Sequence, residues 1–590
     1  MEEALGTGQR GVGSEKRGIT SAEMAYVIAD NIISPLGDTS EANYQAVKSG
    51  KSGIREYAAG SRGIPHVFTA ALLSDEQSAM LAPDDSLTHF ERLAMTSARK
   101  AIAAAGIDVS PSTAVFILSS TKGSIEQLSL AKGEAPSLAA SAKKIATRIG
   151  FTTDPIVVCN ACISGSAAMI LASRLLEQGE YEYAVVCGAD CPDRFIISGF
   201  QSLKALSTEP CRPFDMERFG LNLGEAAATV VLGKEQMEAD NWWIGKGCVR
   251  NDAFHISAPS KTAEGLYQAL EITLQNVDKT QLAFVNAHGT ATLFNDQMES
   301  IAIGRAGLSD VPADALKGYF GHTLGAAGIL ETIISMKATD DHTLLGTRGF
   351  EELGVSGKVN ISEHNRPTDK HSFVKMLSGF GGCNATLLAT KYAGNVDASQ
   401  GQEPNIVQAH KVSLSPAGVS IDGKQLDADT VGADLLTYLY KQHIGNYPKY
   451  YKMDGLCRLG FVASELLLQT EGKERFTECD DRAVILFNHS SSIYSDKKYL
   501  ESIKDTENYF PSPSVFVYTL PNIITGEIAI RNGYHGETSF YILPERDERQ
   551  MKHIMGTAFA DRKTNSILGG WIDYEDEQHY EAELIIYTKI

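Results

Sequence analysis

The sequence predicts an α/β protein made of one complete layered unit followed by an incomplete second copy of it. Three observations carry this expectation. Short apolar runs alternate with helical patterns along most of the chain. The pattern recurs at a long period. No run reaches the roughly 18 uncharged apolar residues that a membrane helix requires.

In chain order, residues 1–21 mix Gly, Glu, Lys and Arg without an apolar core, which reads as a flexible tail and not as a secretory signal. The α/β rhythm then starts at Ala25 with AYVIA. It continues through a helix over Phe90–Ala105, AVFIL at Ala114–Leu118, IVV before Cys159, AVVCG at Ala184–Gly188 and AATVVLG at Ala227–Gly233. FVNAHG near Phe284 and MLSGFGG at Met376–Gly382 complete the first unit, read as an N-terminal half over 22–240 and a C-terminal half over 241–393. The polar, turn-rich stretch at 394–404 suits a linker. Residues 405–590 carry the second copy. GYHGETSFYILPE at Gly533–Glu545 lies over GFTTDPIVVCNAC at Gly150–Cys162 at a shift of 383 without a gap, and Asp573 lies over Asp190 at the same shift. Upstream, the helix near Leu456–Leu468 and AVILF at Ala483–Phe487 match the first copy after a slip of about fourteen residues. After Asp573 nothing corresponds to residues 195–393.

Composition narrows the function. With 43% hydrophobic and 21% charged residues over 590 positions, the chain buries cores, so wholesale disorder, collagen and coiled coil are excluded as the main architecture. A formal charge of −20, negative in both parts, opposes binding to nucleic-acid backbones. Nine cysteines are few and odd in number, which together with the absent signal points to reduced thiols and a cytoplasmic location.

Cys162 is the first candidate for chemistry. IVVCNACISGSAAMILASRLLEQG reads as a buried strand, a tight connection and a helix beginning near Ile163, which puts Cys162 at a helix N-terminus where a thiolate is favoured. Gly165 and Ser166 beside it leave room for a bulky acyl chain and for backbone approach. The plainer alternative is a small buried hydrophobe, and Cys159 with Cys162 also forms a Cys-x-x-Cys pair of redox or zinc type, although further ligands at coherent spacing are missing. His288, opening H-G-T-A-T, and His322, ahead of the helix AAGILETIISMKA, both stand at strand-to-helix junctions, where an imidazole stays neutral and offers one N–H to a carbonyl or enolate oxygen. Gly379–Gly382 (GFGG) permits a turn that aims an N–H at an oxyanion.

Six ordered motifs carry a resemblance: A-C-I-S-G at Ala161–Gly165, C-R-P-F-D-x-x-R-x-G at Cys211–Gly220, G-E-A at Gly224–Ala226, H-G-T-x-T-x-x-N-D at His288–Asp296, K-x-x-x-G-H-x-x-G-A-A-G at Lys317–Gly328 and G-F-G-G-x-N-A at Gly379–Ala385. Over residues 22–393 the chain resembles the β-ketoacyl synthases, decarboxylating condensing enzymes. The resemblance implies a thiolase-like layered αβαβα fold and a Cys–His–His site. It implies Cys162 as nucleophile, His288 and His322 as the decarboxylation pair, and Lys317 and Glu299 as supporting residues. It further implies the N–H groups of Cys162 and Phe380 as the oxyanion hole, with Phe380 also gating the acyl pocket. No cofactor or metal is implied. The implied partners are an acyl carrier protein with its acyl and malonyl thioesters, docking through a local Lys/Arg cluster that the sequence does not locate. Two departures, Cys383 after GFGG and Leu316 before the lysine, lie away from the reacting atoms. A thiolase would need a second cysteine near GFGG, which Cys383 keeps open. A noncatalytic partner subunit is the third reading, opposed by the intact Cys162, His288 and His322.

The second copy resembles the N-terminal half of the same family, as a truncated partner of chain-length-factor type. Glu545 stands at the nucleophile position and both His motifs are missing, so this copy cannot condense anything by itself. Half a layered domain would leave a sheet edge bare. The second copy is therefore expected to pack on the first as an intramolecular pseudo-dimer, with homodimerisation of the complete unit as the alternative. Ser539–Leu543 would pair antiparallel to Ile156–Asn160, and Glu545 would reach the neighbouring acyl pocket to limit chain length.

Overall fold

The computed structural model describes residues 25–130, 137–236, 240–392, 406–505 and 509–590. The tail at 1–21 and the linker at 394–404 lie outside the described residues. The α/β expectation holds. Each apolar run becomes a buried strand, as at Ala114–Ser119, where all six residues are buried. The helix expected over Phe90–Ala105 spans His89–Ala105. It is fixed at its start by a reciprocal cap between Thr88 and Glu91 and ends at Gly106, whose φ of 64° only a residue without Cβ adopts freely.

The first five-stranded sheet runs Ile156–Val158, Ala114–Ser119, Tyr183–Asp190, Ala226–Gly233, Ala25–Ile33. The first two contacts are parallel and the last two antiparallel. The second copy repeats the order and the sense of pairing strand for strand: Thr538–Ile542, Arg482–Asn488, Ser566–Tyr574, Tyr580–Lys589, Ile406–Ser415. The C-terminal half of the first unit contributes Trp243–Asn251, Cys383–Thr390, Ser372–Gly379 and Phe284–Asn286, joined to the first sheet where Ala25 pairs with Ile244. Two helices, Ser164–Glu177 and Ala327–Asp340, are buried nearly all round, which is why their sequences show apolar residues on every face. They touch backbone to backbone: a Cβ on Gly165 would lie 2.9 Å from the Gly325 carbonyl, and one on Gly328 2.4 Å from Ser166 N. Gly165 and Ser166 therefore serve the backbone approach that the sequence suggested, and neither lines the cavity beside Cys162, so the acyl-chain room expected of them is not there. No helix among the described residues is long and apolar enough to cross a membrane.

The strand pairing expected between the copies is present. Tyr541 faces Val158 and Ile542 faces Val157 in antiparallel register. Cys159 N donates to Phe540 O at 3.0 Å, and Asn160 Nδ2 donates to Thr538 O at 2.9 Å. Charges are also paired across this boundary in buried positions: Arg174 with Glu537 at 2.8 Å, Lys122 with Asp496 at 2.6 Å, and Arg250 with Asp561. Removing one partner strands the other charge away from water. Arg174→Met should lower stability by about 3–5 kcal/mol, seen as a shifted urea midpoint, and Glu537→Leu added to it should recover most of the loss.

Candidate active site

Cys162 sits in a single 3₁₀ turn, Ala161–Ile163, between its strand and the buried helix, and Ala161 takes a positive φ of 47° to make that turn. The close packing at Gly165, Gly325 and Gly328 brings this turn against the segment that follows His322. The Cys162 sulfur and one ring nitrogen each of His288 and His322 lie within 4.8 Å of one another. The two imidazoles meet edge to face with centroids 5.1 Å apart.

Both imidazoles are buried, and burial, reinforced by Lys317 and Lys375, holds their pKa well below the ordinary 6.5. This direction favours the neutral form of both rings. Leu324 N donates to His322 Nδ1 at 3.3 Å, so the ring proton sits on Nε2. His322 Nε2 and His288 Nδ1 find no partner among the described residues. A pair neutral below pH 6.5 keeps its N–H donors as pH falls, so a step that relies on them should hold its plateau through 6.5 and lose rate only at lower pH. An NMR pH titration of the two rings checks this: neither should protonate above pH 6.5.

For Cys162 the balance differs from the sequence expectation. Burial pushes the thiol up to about 12, and Lys317 opposes this more weakly. Loss of hydration outweighs the attraction of Lys317 here and favours the thiol form. Any nucleophilic use of the sulfur must first move the thiol proton, and His288 is the acceptor within reach, because His322 already carries its ring proton on Nε2.

Lys317 Nζ donates to the His288 carbonyl at 2.6 Å and pairs with Glu331 at 2.8 Å. Glu299 accepts from His288 N at 2.6 Å and from Gly289 N at 2.7 Å, anchoring the backbone that carries His288. Burial raises its pKa to about 7. Sequence reasoning missed Glu331, whose other oxygen pairs with Lys375 at 2.5 Å, so one buried carboxylate is shared by two buried ammonium groups. A signal existed: a glutamate in an apolar helix and a lysine in the apolar strand SFVKMLSG are both expensive unless paired.

Phe380 stacks on Phe200, with centroids 6.3 Å apart, and lines an apolar cavity with Cys162, Ile196 and Leu324. The far wall comes from the second copy: Phe516, Thr519 and Leu520. Glu545, expected there, is exposed and lines nothing of this cavity. An unpaired carboxylate stays in water, and apolar residues of the preceding segment take the place assigned to it. Cys159 is buried with its sulfur toward the Thr121 carbonyl at 3.7 Å, apart from the Cys–His–His group.

The sheets of the two halves of the first unit around buried helices, with a cysteine from one half and two histidines from the other brought together, define a thiolase-like protein. The chain belongs to the β-ketoacyl synthase family. Residues 23–238 match "Beta-ketoacyl synthase, N-terminal domain" and residues 244–351 "Beta-ketoacyl synthase, C-terminal domain". Among curated relatives, 3-oxoacyl-[acyl-carrier-protein] synthase 2 of Rhizobium meliloti (strain 1021) is 34% identical over 260 residues, 40% of this chain and 61% of that protein. The Coxiella burnetii synthase 2 is 27% identical over 401 residues, covering 61% of this chain and 96% of its own length. The solved PfaC ketosynthase–chain length factor covers 96% of this chain and 78% of its own, with a TM-score of 0.73 at 13% identity, a likeness of fold that takes in the second copy.

Proposed function

We propose that the chain is a β-ketoacyl-[acyl-carrier-protein] synthase acting in fatty acid or polyketide/polyene biosynthesis, with residues 22–393 as the catalytic unit and 405–590 as an inactive pseudo-dimer partner. The observation that carries this reading is the Cys162–His288–His322 group, gathered within 4.8 Å, with Cys162 also lining an apolar cavity. In the first step the Cys162 sulfur attacks the acyl carbon of an acyl carrier thioester, an imidazole takes its proton, and the carrier leaves as its thiol. In the second, the malonyl thioester oxygen accepts the N–H groups of His288 and His322. The bond to its carboxylate then breaks, CO₂ leaves, and the electron pair stays as an enolate. Its α-carbon attacks the acyl group on Cys162, and the oxyanion rests on the N–H groups of Cys162 and Phe380. Collapse releases the β-ketoacyl thioester and the sulfur, which recovers its proton.

The cross-copy strand pairing and buried ion pairs support the pseudo-dimer part of the proposal. A thiolase reading gains nothing from Cys383, whose sulfur points to the Phe380 and Asn160 carbonyls and whose thiol burial pushes well up. Nine free cysteines accord with a reducing, cytoplasmic setting. The test is a condensation assay with acyl and malonyl carrier thioesters. Release of CO₂ with a two-carbon-longer β-keto product is expected, and release of carrier thiol without CO₂ would overturn the reading.

A further inference from the structure

The GFGG turn is seated from the other copy. Asn522 Nδ2, fully buried, donates to the Phe380 carbonyl at 2.8 Å and approaches the Cys383 sulfur at 3.8 Å. One helical turn on, Gly526 lies so close to the turn that a Cβ there would stand 2.4 Å from the Gly381 carbonyl. That carbonyl is itself held by Asn251 Nδ2 at 2.8 Å, and the same amide reaches Thr538 Oγ1 of the second copy at 3.0 Å. His535 of the second copy contacts the Asn251 carbonyl at 3.0 Å. Both successive carbonyls of the turn are thus fixed by amides that belong to the second copy or are clamped by it.

The two copies differ where this seat lies. The gapless shift of 383 that aligns the helix-ending glycines Gly150 and Gly533 puts Ala139 opposite Asn522 and Lys143 opposite Gly526. Ala139 is an ordinary core residue, and Lys143 is exposed and paired with Asp154. The first copy's helix faces no GFGG turn, because the second copy has no counterpart of residues 195–393. A donor and a glycine stand in the copy that faces the turn, and neither stands in the copy that does not.

We propose that Asn522 and Gly526 are positioning residues for the reaction at Cys162, holding the Phe380 turn from the second copy so that its N–H meets the oxyanion formed during acyl transfer. This rests on the function proposed above. It gives the second copy a role in catalysis apart from covering a sheet edge.

The test uses the full chain with Asn522→Leu, which removes the donor, and, separately, Gly526→Ala, which pushes the turn with a Cβ; Asn522→Ala is the milder change in case either disturbs folding. Two readouts are taken: hydrogen exchange of the peptide spanning 376–387, and the separate rates of Cys162 acylation and malonyl decarboxylation. Exchange in the turn should rise roughly tenfold. The kcat for acylation should fall roughly 10²-fold, as when one oxyanion donor is misplaced, with KM unchanged and decarboxylation preserved. Unchanged exchange in the turn in both variants would overturn the proposal, as would equal loss of both half-reactions, the mark of a merely structural role. A wild-type chain that accepts no acyl group, while its turn is still loosened by either variant, would sink the proposed function and leave the seat standing.

Discussion

Cys162→Ala is expected to remain folded and to lose condensation by roughly 10³-fold or more, since no other group at the site can carry the acyl chain. The alanine fits because Cys162 lies in a one-turn segment shaped by its neighbours, with Ala161 on one side and the buried helix on the other. Cys162→Gln should separate the half-reactions. It cannot form the thioester, yet it leaves His288, His322 and their Lys317 support in place, so malonyl decarboxylation continues. The assay is CO₂ release against product formation. A Cys162→Ala chain that still extends acyl groups would contradict the assignment.

His288→Ala and His322→Ala are expected to show the reverse pattern. Each removes one neutral N–H donor to the enolate oxygen, a loss of roughly 10²–10³-fold in decarboxylation, or about 3–4 kcal/mol. Acylation of Cys162 should persist in His322→Ala and be slowed in His288→Ala, because His322 carries its own ring proton on Nε2 and is a poor acceptor for the thiol's. His288→Ala also leaves Lys317 and Glu299 in place, since both bind the backbone at residue 288 and not its ring. Intact decarboxylation with lost acylation would exchange the roles of thiol and histidines.

Much of this arrangement was legible in the sequence because it follows from local pattern. Alternation of strand and helix is written in neighbouring residues and the 383-residue repeat in the order of the motifs, and the antiparallel pairing at Val157 and Val158 follows from the repeat once a bare sheet edge is excluded. Cys162, His288 and His322 stand out because their motifs are contiguous. What the sequence hides depends on packing between distant segments. Glu331 joins Lys317 and Lys375 only after a helix and a strand cross. At Cys162 the helix N-terminus is visible in sequence, whereas the loss of hydration that pushes its thiol upward comes from segments distant in the chain. Glu545 was misplaced for a related reason: alignment gives topological equivalence to Cys162, but a carboxylate and a thiol end in different surroundings.

The central claim is that one chain holds one working site, at Cys162, served by both copies. Intact-protein mass spectrometry with peptide mapping, after incubation with an acyl carrier thioester alone, tests it most directly. The account predicts a single acyl group per chain, located on Cys162 and discharged by malonyl carrier thioester. No adduct, or an adduct on any of the other eight cysteines, would contradict it.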